Sequence, residues 1–60
     1  MTVKELAEIL STVDNKERVV CMNAYSIDEV NGYYYGKKDG KDSIVFTNLD
    51  VQPRTAKNAV

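Results

Sequence analysis

Between Val3 and Val13 the apolar residues Val3, Leu6, Ala7, Ile9, Leu10 and Val13 recur three and four positions apart, with Lys4, Glu5, Glu8 and Ser11 on the other side. That spacing predicts an amphipathic helix of about three turns with one apolar stripe. Thr2 and Glu5 occupy the two positions of a capping box, in which the Thr2 hydroxyl accepts from the Glu5 N–H and the Glu5 carboxylate accepts from the Thr2 N–H. Met1 is placed to staple onto Leu6. A helix signal this close to the first residue gives the expectation of a self-contained small protein without a leader. So short a helix is marginal alone in water, so its stripe has to dock on a second element. The polar run Asp14-Asn15-Lys16-Glu17 ends it and forms the connection.

Arg18 to Asn23 is rich in β-branched and apolar residues and predicts a strand. Over Val19 to Met22 it is apolar on both faces, the pattern of a central strand. Ala24-Tyr25-Ser26 reads as a change of direction. Asp39-Gly40 then separates a tyrosine-rich run from a Val/Ile/Phe run, and this dipeptide suits both central positions of a type I′ hairpin turn. A two-residue loop there sets Lys38 opposite Lys41, Lys37 opposite Asp42, Tyr35 opposite Ile44 and Tyr33 opposite Phe46. Alternation puts Tyr33, Tyr35, Ile44 and Phe46 on one face, the core candidate, and Gly32, Tyr34, Gly36, Ser43, Val45 and Thr47 on the other. Asn31-Gly32 admits two readings, a second hairpin turn or a bulge in a longer strand. The expected fold is α+β: one N-terminal helix packed on a three-stranded antiparallel sheet in α-β-β-β order, a single domain over residues 1–48. Residues 49–60 lack periodicity and read as a polar C-terminal tail, either an extended arm or disordered, in which Leu49 and Val51 could tuck against the domain or a second subunit.

With 60 residues the chain is one domain at most, and a domain of that size buries only about 60% of the surface its unfolded chain exposes. It has no histidine and one cysteine, Cys21, so one copy can build neither a disulfide nor a Cys/His zinc site. Self-association is the remaining way to enlarge the core, and a homodimer is the expected state. Cys21 itself, inside an apolar run, reads as a small core side chain. A lone thiol, together with apolar stretches far shorter than the roughly 20 residues of a membrane helix, fits a soluble cytoplasmic protein. The net charge is −1, with acids in excess up to residue 31 and bases in excess after it.

Histidine catalysis is excluded, and a cysteine nucleophile would lack its imidazole base. Asp28-Glu29 are neighbours whose side chains diverge, and no phosphate-binding glycine motif or calcium-type aspartate spacing is present. No enzyme activity, cofactor or metal is therefore expected. The run Tyr33-Tyr34-Tyr35 carries the strongest binding signal, because alternation turns Tyr34 away from the core beside Val45, and tyrosine is enriched at interface hot spots. Tyr34, Val45 and, secondarily, Tyr25 are the candidate protein-binding residues. A different reading joins Tyr34 to Lys37, Lys38 and Lys41 as an aromatic platform with cations for a nucleic acid or nucleotide, although Asp39 and Asp42 stand among those lysines.

The opening Met1-Thr2-Val3-Lys4-Glu5-Leu6, the apolar helix to Leu10, the polar turn, the Val-Val strand and the Tyr-Tyr hairpin with its acidic glycine turn resemble small phage and prophage proteins, over about residues 1–47. The polar tail departs from that pattern. The resemblance implies a phage accessory protein in the bacterial cytoplasm that inhibits or modulates a host protein stoichiometrically, with a structural subunit of a phage particle as a further possibility.

Overall fold

The structure is a computed structural model and describes residues 1–53. Helix α1 spans Val3–Thr12, and strands β1, β2 and β3 span Val19–Asn23, Gly32–Lys38 and Lys41–Thr47. Among the described residues the fold is α+β, with one helix and one three-stranded sheet.

The capping box forms as the sequence predicts. The Glu5 N–H donates to Thr2 Oγ1 at 3.1 Å, and the Thr2 N–H donates back to Glu5 Oε1 at 3.1 Å. These bonds stabilise the ionised Glu5 carboxylate and hold its pKa below the ordinary value of 4.5. At the other end Lys16 extends its ammonium to the carbonyls of Leu10 at 2.9 Å and Val13 at 2.5 Å, where a cation is favoured by the helix dipole; the Leu10 carbonyl also accepts from the Val13 N–H at 3.4 Å.

The Asp39-Gly40 turn also matches. Both residues have positive φ, 53° and 79°, as a type I′ turn requires. The pairing that follows is the expected one, from Lys38 with Lys41 through Tyr33 with Phe46, and it ends at Gly32 with Thr47.

The sheet is mixed rather than antiparallel, because β1 runs parallel to β3, and the strand order is β1-β3-β2. After β1 the chain crosses the end of the sheet through residues 24–31, enters at the far edge as β2, and turns back as β3 into the space between. An eight-residue connection can span the roughly 10 Å between alternate strands, whereas a two-residue turn cannot. The central strand is therefore β3, and the expectation that the Arg18–Asn23 strand lies in the middle is corrected: Val20 and Met22 are 66% and 63% exposed. Its pattern misleads because an apolar strand can be buried on both faces or stand at an edge. Cys21 is half-buried rather than part of the core.

The core consists of Val13, Ile44 and Phe46, with Met1, Leu6, Ile9, Val30 and Tyr33 packed around them. Three fully buried apolar side chains contribute only about 1.5–3 kcal/mol each. Helix α1 lies over the Ile44/Phe46 face, yet none of its own residues is buried, and Val3 is 84% exposed. The expected docking of the whole apolar stripe is thus only half achieved.

Asn31-Gly32 forms neither a second hairpin turn nor a bulge inside a longer strand. Residues 24–31 contain no strand, and β2 starts at Gly32. Glycine is required there for space: a Cβ would collide with the backbone of Leu49 and Val51, which cross β2 at that point. The Tyr33 N–H donates to the Val51 carbonyl at 3.0 Å, and the Leu49 N–H donates to Thr47 Oγ1 at 3.2 Å. The first residues after position 48 are therefore strapped to the sheet. The rest of the tail expectation, from residue 54 onward, lies outside the described residues.

Candidate functional site

The register assigns every sheet residue to a face. Val20, Met22, Tyr33, Tyr35, Lys37, Asp42, Ile44 and Phe46 share the face that carries α1. Val19, Cys21, Asn23, Gly32, Tyr34, Gly36, Ser43, Val45 and Thr47 share the other, and among the described residues no helix covers it.

On this helix-free face Val45 of the central strand is paired with Tyr34 on one side and Cys21 on the other. Tyr34, Val45 and Cys21 therefore form one row across all three strands. The neighbouring rows are Gly36-Ser43-Val19 and Gly32-Thr47-Asn23. Glycines at both β2 positions beside Tyr34 leave its ring without same-strand neighbours on this face, and the residue is 39% exposed. The sequence joins Tyr34 to Val45, and the structure brings them together. It could not supply Cys21, whose place depends on the parallel pairing of β1. Tyr25 is fully exposed in the 24–31 connection, outside the sheet and outside this row.

The lysines of the hairpin tip divide between the faces. Lys38 and Lys41 face the same way as Tyr34, whereas Lys37 is on the helix face, where its Nζ lies 3.0 Å from Asp42 Oδ1. The Lys37 hydrogen bond and charge hold the Asp42 pKa below its ordinary value of 3.8. The sequence-predicted group of Tyr34, Lys37, Lys38 and Lys41 is thereby split, with one cation committed to an acid.

Tyr33 and Tyr35 complete the helix-side packing. Tyr33 lies against Phe46 with ring centroids 5.9 Å apart and meets Tyr35 edge-on at 6.1 Å. Burial, with a smaller contribution from Tyr35, raises the Tyr33 pKa above 10.0. The Arg18 guanidinium covers the Tyr35 ring at 4.5 Å and donates through Nη1 to the Ser43 carbonyl at 3.0 Å, tying β1 to the central strand.

A second apolar surface was not anticipated. Between α1 and β1 runs a groove of about 450 Å³ walled by Val3, Leu6 and Leu10 from the helix and Val20 and Met22 from the strand, with Phe46 among its lining residues. It exists because α1 covers β3 and leaves β1 open. The uncharged sequence of β1 was the available signal.

Among the described residues no group of three or more His, Cys, Asp or Glu side chains is placed to hold a metal ion. Among the same residues no helix is long and apolar enough to cross a membrane. No protein-family model, curated protein or solved structure matches the chain.

Proposed function

We propose that this chain is a small non-enzymatic protein-binding module that acts stoichiometrically on a protein partner through the Tyr34-Val45-Cys21 row. The observation that carries the proposal is the alignment of that row across three strands, on a face that no helix covers among the described residues, with glycines on either side of the ring. An apolar row that carries a tyrosine at one end has the composition of an interface hot spot, and its sheet backing keeps the ring's ordering cost low. The resemblance to small phage proteins makes a bacterial host protein the class of partner, bound so as to inhibit or modulate it.

The test is capture of partners from bacterial lysate by the tagged full chain, with and without nuclease, using the wild type, Tyr34→Ala and a Lys38→Gln/Lys41→Gln pair. A host protein retained in near-equal ratio after nuclease, and lost about 30-fold or more with Tyr34→Ala, supports the proposal, since hot-spot truncations cost about 2 kcal/mol or more. Binding that vanishes with nuclease, falls steeply with salt and depends on Lys38 and Lys41 rejects it in favour of a nucleic-acid platform.

A further inference from the structure

We infer that the open edge of β1 pairs with the β1 of a second copy of this chain, forming a two-fold dimer with one continuous six-stranded sheet. The Tyr34 reading concerns a different surface, so the two stand independently. Among the described residues, no backbone group hydrogen-bonds to the outer side of Val19–Asn23. Open edges are ordinarily protected by charge, proline or a bulge. This one, Val-Val-Cys-Met-Asn, has no charge and no proline. The other sheet edge is covered at its start, where Val51 accepts from the Tyr33 N–H, and carries two charges at its end, Lys37 and Lys38.

The strand is complementary to its own copy. Full antiparallel overlap of its five residues places Cys21 opposite Cys21, Val20 opposite Met22 and Val19 opposite Asn23, with no like charges in register. A two-fold axis perpendicular to the sheet keeps both helices on one face. The α1-β1 grooves of the two copies then meet, and Val20 and Met22 of both chains lie between the two helices. This arrangement supplies the cover that half of the α1 stripe lacks.

The available area suffices. Summed by their exposed fractions, Val3, Leu10, Val19, Val20 and Met22 amount to nearly three whole aliphatic side chains, about 300 Å² of apolar surface. Adding the strand edge and the flanks of the groove brings the pairing to about 500 Å² per subunit, at the roughly 1,000 Å² total that marks a specific interface. The same pairing extends the Cys21-Val45-Tyr34 row across the axis into its counterpart.

Sedimentation velocity of the reduced full chain over a range of concentrations tests the inference, alongside the Val20→Lys and Met22→Lys variants. The expected result is a mass twice the 6.7 kDa of the chain, with self-association weakened about 100-fold or more by either lysine. Cross-linking of the wild type provides a readout that needs no variant. Directly opposed Cα atoms in an antiparallel pair lie about 4.5–5.5 Å apart, within disulfide range. Diamide, which accepts the two electrons and two protons released as two thiols become a disulfide, should therefore join Cys21 to Cys21 at least about 10-fold faster in the folded protein than in urea. A monomer at all concentrations overturns the inference, whatever else occupies the edge. So does a dimer that neither lysine weakens, or one whose Cys21 thiols do not cross-link.

Discussion

Gly32 and Gly40 are both glycines for local reasons, and substitution separates the reasons. At Gly40 φ is 79° with open space around a Cβ, so Gly40→Ala should cost about 1 kcal/mol from backbone strain alone. At Gly32 the backbone conformation is ordinary, but a Cβ would meet the Leu49 and Val51 backbone. Gly32→Ala should therefore displace that segment or cost about 1–3 kcal/mol, and urea unfolding with hydrogen exchange at the Tyr33 amide checks both effects. An unchanged Tyr33 amide with unchanged stability would show that the strap does not depend on this glycine. Tyr34 is the opposite case, since its ring is half-exposed and supports no core residue. Tyr34→Ala should lower stability by no more than about 1 kcal/mol, the loss of one cross-strand pair with Val45, while removing partner binding.

At the scale of elements, local signals were legible wherever a few adjacent residues determine geometry. Thr2 and Glu5 define the helix start, and Asp39-Gly40 fixes the hairpin register, hence the faces on which Tyr33 through Phe46 lie. Strand order was not legible, because nothing local to Val19–Asn23 encodes the side of the hairpin on which it adds. That choice depends on the length of the 24–31 connection and on which strand best tolerates burial on both faces. Ser43 to Thr47 tolerates it through small side chains beside the β2 glycines. The Tyr34-Val45 pair was readable for the same reason as the hairpin, whereas Cys21 and the α1-β1 groove needed the tertiary arrangement.

The capping box and the hairpin-tip ion pair also predict a pH dependence. Glu5 and Asp42 both have folded-state pKa values below their ordinary 4.5 and 3.8. Each contributes stability that is complete above the unfolded value and is lost as pH falls through the folded one. The wild type should therefore lose stability on going from about pH 6 to about pH 3, and Thr2→Ala and Lys37→Met should each lose less over that interval. Thr2→Ala should in addition be about 1 kcal/mol less stable at neutral pH through loss of the cap. Urea titrations at the two pH values decide this, and identical pH slopes in all three proteins would show that neither contact persists in solution.

For the whole molecule, the dominant fact is a small core beside two apolar surfaces, for which different uses are proposed. Among the described residues, three buried apolar side chains and a helix with none make a small core, which the proposed closing of the β1 edge by a second copy would enlarge where α1 is uncovered. In the proposed dimer this face would carry two Tyr34-Val45-Cys21 rows related by the axis, each flanked by the buried Ser43 and Thr47. On these two proposals self-association and partner binding fall on separable residues: Val20→Lys should reduce the first, and Tyr34→Ala the second.

The central claim is that the helix-free face binds a protein partner, and the most direct measurement is a two-dimensional amide NMR spectrum of the isotope-labelled chain, alone and with the partner captured by the tagged protein. The account predicts that the largest changes fall on Tyr34, Gly36, Val45 and Cys21, with Val3 and Leu10 little affected. Changes confined to Lys38, Lys41 and the hairpin tip, or to the α1-β1 groove, with Tyr34 and Val45 unmoved, would contradict it.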